Sequence, residues 1–409
     1  MNQLAGRLTG MNNMRMRPRL SLLVFVMLLP MVVLLVVAWQ DRQAVIDTTR
    51  QEQEGLRLVV AGNRLLSSVQ AHRDLSNIVR SGDLSQRDAL ARARTDVETS
   101  LNALNAVYAE TGKAFKLQEF HADINERWGR IAEMGPNEPA PRVWDAHTAL
   151  VNEGVFRWIF AAGNNSGLAT DPDTDSQNAI SAVKDTLPLL TEQLSQARGI
   201  GAAALVTGSG LPPSAPVSRS VSDNMARAGL LNQTFVRNLQ ESTRTNPVFK
   251  EALSAPLLES GIDRNVFINA VNANILEAPA LKASPASFFL SGSESIDTTN
   301  DVLTATESLL AQEFSKRTVE ARAAMFRSGG LVFVAIGFAF VLVLVIAASI
   351  TRPISHLVEV ADRISLGELD AEIDVSGTNE VGQLAESLRR MQTSLRSAIE
   401  RLRTRRAAA

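Results

Sequence analysis

The sequence predicts an all-α fold: an elongated, membrane-anchored helical bundle of two stacked helical modules, two membrane-spanning helices, and a parallel coiled-coil module after the second span. Three observations carry that expectation. Two uncharged apolar runs stand far apart in the chain. The region between them is rich in helix formers and shows no alternating β pattern of useful length. A heptad-spaced apolar stripe follows the second run.

The first run, residues 20–39, reads LSLLVFVMLLPMVVLLVVAW. A helix of that length rises about 30 Å, the thickness of a hydrocarbon core. Pro30 lies inside it, which a membrane bundle tolerates because neighbouring helices re-satisfy the freed carbonyl. A cleaved signal peptide would share the preceding arginines, Arg15, Arg17 and Arg19. Its apolar stretch is shorter, however, and no small-residue cleavage site closes this run, which ends in Trp39 and Gln40. The second run, residues 329–350, is about 33 Å long by the same rise. Arg7, Arg15, Arg17 and Arg19 precede the first span, and Arg352 and Arg363 follow the second, so the positive-inside rule places both termini in the cytoplasm. Lys316, Arg317, Arg322 and Arg327 weigh against that assignment, and the segment after the second span decides it. The expected segments are a cytoplasmic start at 1–19, a span at 20–39, an extracytoplasmic domain at 40–328, a span at 329–350, a relay at 351–403 and a tail at 404–409.

Residues 40–328 are too many for a loop. Long stretches rich in Ala, Leu, Gln, Arg and Glu predict helices near 41–81, 84–111, 113–134, 141–163, 175–208, 217–243, 246–290 with breaks, and 296–328. The turns between them fall at Ser81-Gly82-Asp83, Gly135-Pro136, Asp171-Pro172-Asp173 and Leu211-Pro212-Pro213. A weak internal repeat relates VQAHRDLSNIVRSGD, ending at Asp83, to LSQARGIGAAALVTGSG, ending at Gly210. Each copy sets an arginine, Arg73 or Arg198, about ten residues before a glycine turn, and two copies imply two stacked bundles.

The segment from Thr351 carries the most specific pattern. Pro353 suits a first helical turn, where its missing N–H costs nothing. Ile354, Leu357, Ala361 and Ile364 follow at heptad spacing, and Gly367 ends the helix as a C-terminal glycine does. A connector alternates Leu369, Ile373 and Val375 with polar residues. A second helix then places Val381, Leu384, Leu388, Met391, Leu395 and Leu402 on one seam. Two such stripes joined by an extended connector need a partner chain, and a parallel four-helix coiled coil in a homodimer buries both. The segment resembles a HAMP domain, the linker of bacterial chemoreceptors and sensor kinases, through Pro353, the Gly367-Glu368-Leu369 turn and the NEVG run with Glu380 and Gly382. Asn379 stands where the family has Asp and keeps its capping ability without its charge. The resemblance implies a relay in which Glu380 helps clamp the two helices, with Pro353, Leu357, Gly367, Leu369 and Leu384 as parts of the mechanism. It also implies an inner-membrane protein.

The outer region is similar to the large all-helical sensor domains of some chemoreceptors, of the helical bimodular and nitrate/nitrite-sensing types. ATDPDTDSQNAISAVKDTLPLLTEQLSQARG is the stretch most like them. That resemblance implies that arginines projecting from the repeat helices bind small anions or carboxylates. Arg73 and Arg198 are the positions that carry over, with Arg80 and Thr207 as neighbours. A guanidinium suits such a ligand because it offers bidentate donors. The same arginines have candidate partners within the chain: Asp74 is adjacent to Arg73, and Glu192 lies six residues before Arg198.

Other classes are poorly supported. There is no cysteine, so no disulfide, thiolate metal site or cysteine nucleophile exists, and the four histidines show no metal-ligand spacing. A net charge of −2 with scattered arginines gives no field to attract nucleic acid. Asp171, Asp173 and Asp175 resemble the start of a calcium loop, but Ser176 and Ala182 occupy the places of its glycine and glutamate, and a helix-start loop is the better reading. No cofactor and no catalytic block are expected. The chain reads as the input and transmission half of a dimeric receptor for a small solute, signalling to downstream proteins. The input half of a histidine kinase or diguanylate cyclase, and a stalk that binds nothing, remain open.

Overall fold

The computed structural model describes residues 16–407, and among these all regular structure is helical, with one isolated bridge between Ser209 and Leu281. The chain divides into two compact units, Ala44–Ala321 and a second made of the segments Met1–Gln43 and Arg322–Ala409.

In chain order the helices are α1 (Met16–Arg80), α2 (Arg87–Val107), α3 (Gln118–Ala132), α4 (Ala140–Ala149), α5 (Phe156–Asn165), α6 (Thr174–Ser181), α7 (Leu187–Thr207), α8 (Ala215–Thr245), α9 (Pro247–Val271), α10 (Pro285–Ile346), α11 (Arg352–Ser365) and α12 (Glu380–Ala407). Single π-helical turns join several of them, at Leu150–Val155 between α4 and α5 and at Ala182–Thr186 between α6 and α7. The turn chemistry is local. Gly82 takes φ +118° after α1, and Asp83 accepts from the Ser85 N–H at 3.1 Å. Asn246 caps α9 by accepting from the N–H of Val248 at 3.0 Å, with Pro247 in the first turn.

One element runs longer than its sequence suggests. Helix α10 begins at Pro285 rather than near 296 and passes through Ser291-Gly292-Ser293 without a break. Gly292 is there for contact: a Cβ at that position would lie 2.9 Å from both Arg198 Cγ and Phe267 Cε2.

In the larger unit one continuous apolar core, including Leu58, Trp158, Leu187, Leu190, Phe235, Phe267 and Phe314, serves both copies of the repeat. Helices α1 and α7 run side by side in the same direction. Asn63 donates to the Val183 carbonyl at 3.2 Å, Gln70 to Glu192 at 3.0 Å and Asn77 to the Gly199 carbonyl at 3.2 Å, so both helical segments ascend together. The repeated segments therefore lie against each other.

In the other unit the most apolar stretches of α1 and α10 are unburied within the chain, with Phe25, Leu29, Val33, Phe333 and Phe338 all exposed. Both helices are long and apolar enough to cross a membrane. A separate small core of Leu357, Val360, Ile364, Ala371, Ile373 and Ala385 holds α11, the connector and α12.

Glu307 on α10 is buried and accepts from the Asn63 amide at 2.9 Å. Burial pushes its carboxyl from 4.5 up to about 7, against the Asn63 hydrogen bond and the Arg64 charge. A carboxyl with a higher pKa folded than unfolded stabilises the fold most below about pH 4.5 and loses that contribution as pH rises through about 7. Urea unfolding of the detergent-solubilised chain between pH 5 and 8 should show this loss. Glu307→Gln should reduce it by about 3 kcal/mol. Identical pH slopes in both proteins would mean that Glu307 is ionised in the fold.

Candidate functional site

The two arginines singled out by the repeat meet at one carboxylate. Helix α1 supplies Arg73 and Asp74; α7 supplies Glu192, Ser195 and Arg198. Arg73 donates to both Glu192 oxygens, at 2.6 and 3.2 Å, to Ser195 Oγ at 3.0 Å and to Asp74 Oδ1 at 3.3 Å. Arg198 reaches Asp74 Oδ2 from Nε at 2.9 Å and from Nη2 at 2.8 Å, and the Ser195 hydroxyl donates to the same oxygen at 2.8 Å. Arg73 and Asp74 are 0 % exposed and Arg198 4 %, so water screens none of this. Burial opposes the Arg73 cation, and the charges of Glu192 and Asp74 outweigh burial and raise its pKa. Each guanidinium also lies over a ring, Arg73 on Trp144 and Arg198 on Phe289, both 4.6 Å from the centroid.

Burial pushes the Asp74 carboxyl up, against the charges of Arg198 and Arg73. With Asp74 ionised, two cations and two carboxylates make the cluster neutral, and the protein supplies the acceptors of both arginines. Asp74 and Glu192 are the partners that sequence proximity nominates, but they pair crosswise: Glu192 holds Arg73, while Asp74 bridges both. Gly199 permits this closeness, since a Cβ there would sit 2.7 Å from Asp74 Oδ1 and 2.9 Å from Trp144. From the far side Arg198 Nη1 donates to Ser293 Oγ on α10 at 3.0 Å. The cluster thus joins α1, α7 and α10.

Arg80 and Thr207 are not part of it. Arg80 fastens the turn after α3, donating to the carbonyls of Gly135, Pro136 and Glu138 at 3.0, 3.0 and 2.7 Å. Thr207 is exposed and donates to the Ala203 carbonyl in its own helix at 3.1 Å. A second ionic knot escaped sequence reasoning. Arg317 on α10 binds Asp171 at 2.8 Å, Asp173 at 2.7 Å and Glu52 at 3.3 Å. Burial, then the Asp171 charge, lifts the Glu52 carboxyl to about 7. The aspartate run before α6 therefore grips an arginine, and Arg317, one of the cations ahead of the second apolar run, is paired with acids of the larger unit.

The relay segment builds its turn as its residues demand. Pro353 sits in the first turn of α11. Gly367 has φ +98°; its N–H donates to Ile364 O at 3.1 Å and that of Glu368 to Arg363 O at 3.0 Å, the two bonds of a Schellman cap. Asn379 Oδ1 accepts from the Gly382 N–H at 3.1 Å, the capping job expected of the missing aspartate. Leu357 is buried in the small core and Leu369 packs against it. Glu380 is exposed and forms no ion pair with any described residue. The fastening inside this chain comes from one face of α12: Arg389 donates to the Val375 carbonyl, and Gln392 to those of Leu369 at 3.0 Å and Ala371 at 2.7 Å. Leu384 (50 %), Met391 (46 %), Leu395 (41 %) and Leu402 (64 %) stay exposed along the seam.

Comparison with known proteins settles the identity of this segment. Its residues 345–397 match the HAMP domain family. This part of the chain is a HAMP domain. It is 44 % identical over 64 residues to methyl-accepting chemotaxis protein TlpB of Bacillus subtilis, covering 16 % of this chain and 10 % of that protein. It is 40 % identical over 72 residues to methyl-accepting chemotaxis protein I of Escherichia coli, covering 18 % and 13 %. The matched part thus spans about a tenth of these relatives' length. In fold, the chain is similar to the structure of the NasR transcription antiterminator, with TM-score 0.52 and 15 % identity over 91 % of this chain and all of the other. That likeness concerns the helical architecture alone.

The buried cluster makes a stability contrast. Arg73→Ala leaves Asp74 and Glu192 without their shared cation and should destabilise the detergent-solubilised chain by about 3–5 kcal/mol in urea unfolding. Thr207→Ala, on the surface, should stay within about 0.5 kcal/mol. Equal effects would show that the cluster contributes nothing beyond an ordinary surface contact.

Proposed function

We propose that this chain is the input and transmission half of a homodimeric, chemoreceptor-like receptor in a bacterial inner membrane. Both termini lie in the cytoplasm, and the outer helical domain senses a small anionic or carboxylate solute. One observation carries the reading. Helix α10 receives the Arg198 hydrogen bond at Ser293, continues to Ile346, and is followed through a π-helical turn at Ala347–Thr351 by the first HAMP helix. A change in the buried cluster thereby has a continuous helical path to the relay. The Arg73–Asp74–Arg198 arrangement acts as the coupling element: a solute that favours one arrangement of α1, α7 and α10 over another shifts the population of HAMP packings. Only differential affinity for the two states can do so.

The exposed seam of α12 supports the dimer, because a second copy laid parallel buries Leu384, Met391, Leu395 and Leu402 against their equivalents. Output passes to downstream signalling proteins.

Mild oxidation of membranes carrying Leu395→Cys should give a disulfide-linked dimer, the chain having no other cysteine. Failure to cross-link at Leu384, Leu395 and Leu402 alike would overturn the dimer. Nitrate, nitrite and small organic acids should be screened by thermal shift on the full chain. A stabilising anion should also change the Leu395→Cys cross-linking rate in the parent, and the change should vanish in an Arg73→Lys/Arg198→Lys variant. An unchanged rate in the parent would sink the sensing mechanism.

A further inference from the structure

A cavity of about 240 Å³ opens between α1, α2, α3 and α4, beside the buried cluster but separate from it. Three arginines line it, Arg80, Arg87 and Arg94, with His72, Trp128 and His147, and no carboxylate is among its lining residues. The charge is poorly compensated. Arg80 has four of its five N–H groups engaged, all by neutral acceptors: the Ser76 hydroxyl and three carbonyls. The Arg87 guanidinium has no ion pair or hydrogen bond with any described residue. Arg94 is half exposed and paired with Glu98 at 3.1 Å. Arg80 is held rigidly by its carbonyl contacts, so the cavity presents one fixed cation and two adjustable ones to an anion.

The histidines add a second requirement. His147 Nδ1 lies 2.7 Å from the Val143 carbonyl, which can only accept, so Nδ1 carries the proton and Nε2 of the neutral ring is an acceptor. His72 Nδ1 lies 2.7 Å from that Nε2 and must therefore donate to it. His72 Nε2 is then a lone-pair acceptor, with no hydrogen bond from any described residue. Both rings are kept neutral: burial first, with nearby positive charge, lowers His72 to about 4 and His147 to about 3.

We infer that this cavity binds a small hydroxycarboxylate, its carboxylate held by Arg80, Arg87 and Arg94 and its hydroxyl donating to His72 Nε2. The volume suits such a ligand: it falls below the range of drug-sized pockets, about 300 Å³ and upward. Trp128 and the apolar side chains beside it accommodate a short carbon skeleton. The imidazole acceptor discriminates, because an anion without a proton to give, such as nitrate or acetate, leaves it unpaired. The inference deepens the receptor reading without depending on it for binding. His72 and His147 are chain neighbours of Arg73 and Thr148, and Arg73 Nη1 reaches Thr148 Oγ1 at 3.5 Å. A ligand pulling on the two histidines therefore acts one residue from the coupling cluster on both helices.

Isothermal titration calorimetry of the detergent-solubilised full chain with glycolate, lactate and malate, against acetate, propionate and nitrate, tests the site. At least one hydroxy acid should bind. Its deoxy counterpart should bind at least about tenfold more weakly, the worth of one hydrogen bond. Arg87→Ala should weaken the hydroxy acid at least about tenfold with an unchanged melting temperature, Arg87 being exposed and unpaired among the described residues. His72→Phe should abolish the preference over the deoxy acid. Binding of none of the hydroxy acids, equal binding of lactate and propionate, or indifference to Arg87→Ala would each overturn the inference. Binding that leaves the Leu395→Cys cross-linking rate unchanged would keep the site and remove the receptor reading instead. An intact dimer with no binding would do the reverse.

Discussion

Asp74 holds the polar interior of the larger unit together. Its carboxylate lies between two guanidinium groups from different helices and also accepts a serine hydroxyl. A buried carboxylate is tolerable only when its charge is matched and its lone pairs are filled, and a buried arginine has the same need. The four charged groups meet that condition jointly and none of them meets it alone. This sets the register of α1 against α7, since a slip of one turn would leave charges unpaired in the core. It also accounts for Gly199, where any side chain would displace Asp74 or Trp144.

The same cluster gives the helix that leaves the domain a stake in its interior. Arg198 touches α10 through Ser293 and Phe289, while Arg317 ties a later part of α10 to Asp171, Asp173 and Glu52. Between these points Glu307 is buried against Asn63. Polar contacts of this kind are directional and few, in contrast to the diffuse apolar packing around them. Alternative pairings of such groups are discrete states, whereas a close-packed apolar core resists continuous deformation. A helix held at ionic points has a small set of positions to choose from.

The HAMP domain shows the opposite economy. Its intramolecular core is small, and much of the fastening of the connector comes from Arg389 and Gln392 reaching backbone carbonyls. The remaining apolar seam of α12 faces outward, so the module's stability within one chain is incomplete and its packing is decided by what covers that seam.

The residues alone determined much of this. Helical periodicity, breaker placement, two uncharged runs and a heptad stripe after the second are local signals, and they specified the all-α class, both candidate spans and the HAMP domain with its Gly367 and Asn379 caps. The repeat also pointed to Arg73 and Arg198. What those arginines touch was decided only in three dimensions. Glu192 lies nearer Arg198 in sequence yet binds Arg73, because α1 and α7 run parallel and bring positions about 120 residues apart into contact. Arg80 and Thr207, close to the pair along the chain, face other surroundings. The aspartates before α6 acquired Arg317 as a partner from 144 or more residues away. Local patterns follow from backbone geometry over a few turns, but pairing of buried charges is a global condition, satisfied by whichever opposite charge the packed helices bring within reach.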